Sequence, residues 1–223
     1  MRIRKKPWAE NEFNTNANYI KEPQEFKGKW RDFFGNENPI HIEIGCGKGQ
    51  FITTMSKIYT DINYIAIERQ SMVIASALKK GREKNVGKNL AFFSADVENL
   101  KNFFEAAEVK RIYINFCDPW PNKKKWAKRR LTHKNFLKIY EEIFSEKGEV
   151  FFKTDNRILF EFSLNEFEAR ENWKMKNISL DLHNSEFQGN VMTEYEEKFS
   201  GRGMPIFRLE ADFYNLLNTM AKK

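Results

Sequence analysis

Ile40-His41-Ile42-Glu43-Ile44-Gly45-Cys46-Gly47-Lys48-Gly49 reads as a buried strand running into a turn. An acid stands two places before the first glycine, and the glycines alternate. Glycine has no Cβ, so such a turn can take positive φ and let a ligand lie against its amides. The Glu43 carboxylate can then hold a cationic or hydroxyl-bearing group beside it. A dinucleotide fingerprint would space its glycines G-x-G-x-x-G. Here Lys48 separates the last two glycines, and the Lys-Ser/Thr ending of a phosphate-binding loop is absent. A plain strand-to-helix turn has the same local pattern, so the decision rests on what surrounds it.

The rhythm continues outward from the turn. Apolar runs at 40–44, 64–67, 90–94, 111–116 and 150–153 read as strands. Helical periodicity covers 49–58, 71–85, 134–145 and 158–172, with Gly148 as the stop of the third. Two final strands are expected at 173–180 and 206–213, joined by a long irregular connection over 181–205. Strands and helices alternating at these lengths predict an α/β, doubly wound, mostly parallel sheet. Residues 1–35 show no clear period and predict a basic, partly flexible arm with a short amphipathic piece at 26–34. A single domain is expected over 36–223.

The composition fits a globular chain. Of 223 residues, 41% are hydrophobic and 31% charged, and no apolar run is long enough to span a bilayer. The basic N-terminus has no apolar region behind it, so it does not read as a secretory signal. Cys46 and Cys117 are the two cysteines, a usage that points to a reducing, cytoplasmic setting rather than a disulfide framework. Three scattered histidines lack metal-ligand spacing, and no metal is expected. The sequence leaves the oligomeric state open, with a monomer slightly favoured. The net charge of +7 is concentrated: Lys123, Lys124, Lys125, Lys128, Arg129, Arg130 and Lys134 gather around Trp126. Charge runs are usually solvated faces, but this density with an aromatic inside it also suits nucleic-acid phosphates.

Successive strands end in acids: Glu43, Glu68, Asp96 and Asp118, with Asp155 after the fifth. In an open parallel sheet the carboxyl ends of the strands border the ligand crevice, so these carboxylates should share one rim. Glu68 is placed to accept both hydroxyls of a ribose, or simply to face the dipole of the next helix. Asp96 can equally be a helix cap. Asp118 opens Asp118-Pro119-Trp120-Pro121, where two prolines bracket a tryptophan. Each proline restricts the residue before it to extended geometry. The product is a stiff loop with an aromatic face for a base and a carboxylate for its edge. Later, Thr193-Glu194-Tyr195-Glu196 offers hydroxyl and carboxylate groups, and also the spacing of a capping box.

The acid-first glycine turn resembles motif I of the class I S-adenosylmethionine-dependent methyltransferases. Together with Asp118-Pro119-Trp120-Pro121, Lys128-Arg129-Arg130-Leu131, Thr154-Asp155 and Thr193-x-Tyr195-Glu196-x-Lys198-Phe199, it resembles the bacterial tRNA (guanine-N7)-methyltransferase family over residues 38–213. That resemblance implies a seven-stranded Rossmann-like sheet with an antiparallel terminal strand. It implies methyl transfer from S-adenosylmethionine to N7 of guanine at position 46 in the variable loop of tRNA. Glu43, Gly45, Gly47, Gly49, Glu68, Asp96 and Asp118 would hold the cofactor, with Glu43 facing its amino group. Asp118, as the catalytic residue, and Asp155, Thr193, Tyr195 and Glu196 would face the guanine. Lys124, Lys125, Lys128, Arg129 and Arg130 would bind RNA. Many members place lysine directly after Asp-Pro-Trp-Pro. Here Asn122 stands there and Lys123 follows, so the candidate substrate lysine is Lys123 with Asn122 as the alternative.

Guanine N7 has a lone pair and no proton to lose, so its methylation needs no strong base, and none is evident. Other readings share parts of the pattern. A nicotinamide-dependent oxidoreductase would use Glu68 and the fold but needs wider glycine spacing. A noncatalytic RNA-binding protein explains the basic tract but not the row of acids. Another nucleic-acid N-methyltransferase would share most of the motifs.

Overall fold

The computed structural model describes residues 7–121 and 123–215, so residues 1–6 of the expected arm and Asn122 lie outside the described residues. The strands are β1 (Ile40–Ile44), β2 (Asn63–Glu68), β3 (Leu90–Ser94), β4 (Val109–Asn115), β5 (Phe144–Thr154), β6 (Trp173–Ser179) and β7 (Phe207–Tyr214). The helices are α1 (Pro7–Thr15), α2 (Trp30–Phe34), α3 (Gln50–Ile58), α4 (Ser71–Glu83), α5 (Leu100–Phe103), α6 (Lys124–Ala127), α7 (Lys134–Ile143), α8 (Arg157–Glu168) and α9 (Glu194–Ser200). All seven strands join one sheet in the order β3-β2-β1-β4-β5-β7-β6. β1 to β5 pair in parallel, whereas β7 runs antiparallel to both β5 and β6.

This order follows from the residues. β1 is buried along its whole length and β2 along all but its last residue, which suits apolar strands covered by helices on both faces. The chain winds from β1 outward to β3 and then returns to the other side of β1 with β4. That reversal opens a crevice above β1 and β4, at the carboxyl ends of the strands. The glycine turn and Asp118 therefore meet there, although they lie far apart in sequence.

Two expectations need correction. The part of residues 1–35 that is described is packed, not loose. Glu12 of α1 is 3% exposed and accepts from Arg82 Nη2 of α4 at 2.7 Å. Trp30 is fully buried, stacks on Phe93 and donates its indole N–H to the Phe103 carbonyl at 2.8 Å. Burying such a ring contributes about 1.5–3 kcal/mol, enough to fix the short α2 on the core. The second correction concerns β5. It starts at Phe144, directly after α7, so Gly148 lies within a strand and does not stop a helix. The Phe144 ring covers Gly148 where a Cβ would otherwise sit. Among the described residues, no helix is long and apolar enough to cross a membrane, and no group of three acidic, histidine or cysteine side chains could hold a metal ion.

Candidate active site

The crevice is a cleft of about 980 Å³, lined on one side by Gly45, Gly47, Glu68 and Asp96 and on the other by Asp118, Trp120 and Arg129. Its floor is the glycine turn. Gly45, Gly47 and Gly49 take φ of 73°, 56° and 78°, the left-handed region that other residues avoid. A Cβ on Gly47 would meet nothing within 4 Å, so its backbone faces open space. Gly49 is glycine for a different reason: a Cβ there would sit 2.8 Å from that of Ala77, and α3 could not approach α4.

Glu68 and Asp96 are each anchored by backbone while remaining on the cleft wall. Glu68 Oε2 accepts from Gly47 N at 3.2 Å and Oε1 from Gln70 N at 2.9 Å. Asp96 Oδ1 caps the next turn by accepting from Glu98 N at 3.1 Å, and Arg69 lies 3.9 Å from its other oxygen. The cap and cleft readings of Asp96 thus hold together. Asp118 is exposed at the end of β4. Two bulky residues flank it in the left-handed region, Phe116 and Trp120, both at φ 51°. Such conformations cost about 1–3 kcal/mol each and persist where the surroundings hold them. Phe116 N donates to the Lys153 carbonyl at 2.9 Å, and Arg130 clamps the other side by donating to the carbonyls of Pro119 (2.9 Å) and Trp120 (3.3 Å).

Glu43 is not on the cleft wall. It is 1% exposed beneath the turn, accepts from Asn115 Nδ2 at 2.8 Å through Oε1, and leaves Oε2 without a partner. Burial pushes its carboxyl up to about 8, against the Asn115 hydrogen bond and the nearby Lys153 charge. Glu196 is also withdrawn. It is fully buried, and its Oε2 accepts from Lys153 Nζ at 2.6 Å. Thr193 Oγ1 accepts from Glu196 N at 3.0 Å and caps α9. Tyr195 is exposed, donates to Asp155 Oδ2 at 3.3 Å, and lies with its ring 5.1 Å from that of Phe116. Phe116 also lines the cleft, so it joins the cleft to the Asp155–Tyr195 pair. The residue stands directly before Cys117-Asp118, and its position at a strand end was the available signal.

The basic tract divides. Lys123, Lys124, Lys125, Lys128 and Arg129 are exposed, whereas Arg130 is 3% exposed and lies over the Phe162 ring. Trp120 and Trp126 stack at 5.5 Å and 10°, and the Arg129 guanidinium is 4.8 Å from each ring centre. An aromatic and cationic mouth of this kind can take a base and its phosphate together.

A family described as putative methyltransferase matches residues 37–209. A tRNA (guanine-N(7)-)-methyltransferase of Listeria monocytogenes serotype 4b is 54% identical over 96% of this chain and 99% of its own length. The protein of that name from Bacillus subtilis is 51% identical over the same shares. Among solved structures, the 16S rRNA methyltransferase KamB superposes with a TM-score of 0.63 at 9% identity, over 84% of this chain and 94% of its own, a likeness of fold. With this identity sustained along nearly the whole sequence, the chain belongs to the tRNA (guanine-N(7)-)-methyltransferase family.

Proposed function

We propose that this enzyme methylates N7 of the guanine at position 46 in the variable loop of tRNA, with S-adenosylmethionine as donor and Asp118 as the catalytic residue. The observation that carries this reading is the placement of Asp118. It shares one cleft with Glu68 and Asp96 on the opposite wall and with Trp120 and Arg129 on its own.

The residues fit the donor. The cleft volume lies near the upper end for small-molecule sites, and its floor is backbone bared by glycine. Glu68 suits the two ribose hydroxyls, Asp96 the exocyclic amine of adenine, and Gly45 and Gly47 the methionine chain that leaves the ribose. Glu43 stands two residues before Gly45, buried on Asn115 with one oxygen unpaired. S-adenosylmethionine supplies an electrophilic methyl on a sulfonium.

The protein's own residues do the rest. Trp120 offers a face on which a base can stack. Asp155 and Tyr195 offer an acceptor and a hydroxyl for the guanine edge. As the bond to N7 forms, the purine gains positive charge, and the Asp118 carboxylate favours that charge more in the transition state than before it. Alignment of methyl and N7 supplies the remaining acceleration. Lys124, Lys125, Lys128 and Arg129 hold phosphates. Nucleoside mass spectrometry of tRNA incubated with the enzyme and donor tests the reading. We expect 7-methylguanosine in a tRNA carrying guanine at position 46 and none when adenine replaces it. Methylation that survives that replacement would reject the position.

A further inference from the structure

Helix α9 carries Tyr195 against Phe116 of the cleft wall, yet it gives the core no apolar anchor: Glu196 is its one buried residue. At seven residues it is too short to stand on its own hydrogen bonds. Its attachment is polar. Glu196 Oε2 accepts from Lys153 Nζ at 2.6 Å, and Oε1 accepts from Asn190 Nδ2 at 2.6 Å, with His183 Nε2 at 3.1 Å. The Lys153 ammonium also donates to the Val191 carbonyl at 2.9 Å and to Asn190 Oδ1 at 3.2 Å. Lys153 is 5% exposed, so one buried cation binds β5, the segment before α9, and α9 itself. Gln50, the first residue of α3, adds a hydrogen bond to Glu197 at 2.7 Å, and Lys80 of α4 pairs with Glu194.

A buried ion pair is a costly way to dock a helix. Desolvation takes several kcal/mol per ion, and apolar side chains of similar volume often hold as well or better. What the pair supplies here is placement. Lys153 stands two residues before Asp155 on the same stretch of chain, and Glu196 directly follows Tyr195. With the pair closed, the Tyr195 hydroxyl meets Asp155 and its ring meets Phe116.

We propose that Lys153 is a positioning residue for methyl transfer: through Glu196 it sets α9 so that Tyr195 and Asp155 face the guanine, and Glu196 acts inside this pair without touching the base. The inference rests on the guanine site proposed above. The test compares the parent with Lys153→Met, Glu196→Gln and the double variant Lys153→Met/Glu196→Met. Four quantities are read: single-turnover methylation at saturating tRNA and donor, KM for tRNA, donor affinity, and hydrogen exchange of the α9 amides.

Lys153→Met leaves Glu196 buried without its ammonium, held only by Asn190 and His183. It should slow turnover by about a hundredfold, the cost of an ångström-sized misplacement, and raise KM for tRNA. Donor affinity should not change, and the α9 amides should exchange faster. The double variant removes both charges and should bring back both protection and rate. A double variant as slow as Glu196→Gln, with α9 fully protected, overturns the proposal, because Glu196 would then act on the base itself. A Lys153→Met enzyme with the parent's rate overturns it as well. If Lys153→Met does not fold, the double variant decides. A parent that fails to methylate tRNA rejects the substrate reading, while α9 exchange still reports whether Lys153 sets the helix.

Discussion

Glu43 is a carboxylate held where charge is disfavoured. Its folded value, raised to about 8, lies above the ordinary 4.5 of the unfolded chain. The folded protein therefore keeps this proton after the unfolded chain has released it. The stability it confers is complete below about pH 4.5 and is lost as the pH rises through about 8. Glu43→Gln keeps an acceptor for Asn115 and has no proton to lose. Scanning fluorimetry of the donor-free protein should give equal melting temperatures near about pH 4 and a higher one for the variant near about pH 8. Identical pH profiles would show that Glu43 ionises freely. Asp118 is the opposite case, an exposed acid whose charge the proposed mechanism uses. Asp118→Asn should lower the single-turnover rate by about a hundredfold, roughly 3 kcal/mol, with little change in tRNA affinity. Raising the pH should not restore it, since no proton leaves N7. A parent-like rate would make Asp118 only the end of a strand.

The glycine turn and α3 act as a unit because α3 packs on α4 at Gly49. Gly49→Ala would combine a left-handed backbone with a clash, its Cβ only 2.8 Å from that of Ala77. The backbone term alone costs about 1–3 kcal/mol. For a protein of this size each kcal/mol lowers the melting temperature by about 2–4 °C. Donor affinity should fall with it, because the turn is the cleft floor. Adding Ala77→Gly should recover only part of the stability, since it removes the Cβ clash but leaves the φ, a tight 3.2 Å approach to the Cα of residue 77 and a glycine within α4. Full recovery would show that neither the φ at Gly49 nor the remaining contact carries a cost. Elements of this kind were legible beforehand: β1 and β3 fall on the expected residues. α1 was not, because its anchor is Glu12 tied to Arg82, a contact that no local period announces. β5 was misread at its start because a glycine under an aromatic ring looks, in sequence, like a helix stop.

Across the surface, the basic tract and the cleft mouth form one positive region, the proposed RNA surface, but Arg130 belongs to the fold. Replacing Lys124, Lys125 and Lys128 by alanine should weaken tRNA binding and leave the melting temperature unchanged. For every phosphate no longer neutralised, the slope of log affinity against log salt should fall by roughly 0.7–0.9. Arg130→Ala should do the reverse. It leaves the carbonyls of Pro119 and Trp120 without their donor, lowers stability and keeps the salt slope. Binding titrations over a salt series, beside thermal melts, separate the two. A triple lysine variant with the parent's slope would leave the tract a solvated face.

The strand ending in a glycine turn, the acids closing successive strands and the proline-bracketed tryptophan could all be read along the chain. Each depends on neighbours a few residues away: a positive φ, a period, a restricted backbone. Which charges remain available to a ligand could not be read that way. Glu43, Glu196 and Arg130 look, residue by residue, like the acids and bases beside them. Packing withdrew them from solvent, in the case of Glu196 through a lysine 43 residues away. Burial depends on what the folded chain brings over a side chain, and such partners are distant in sequence. The types of chemistry were therefore written locally, while the division between groups left open to the cleft or solvent and groups buried in the frame arose from the fold.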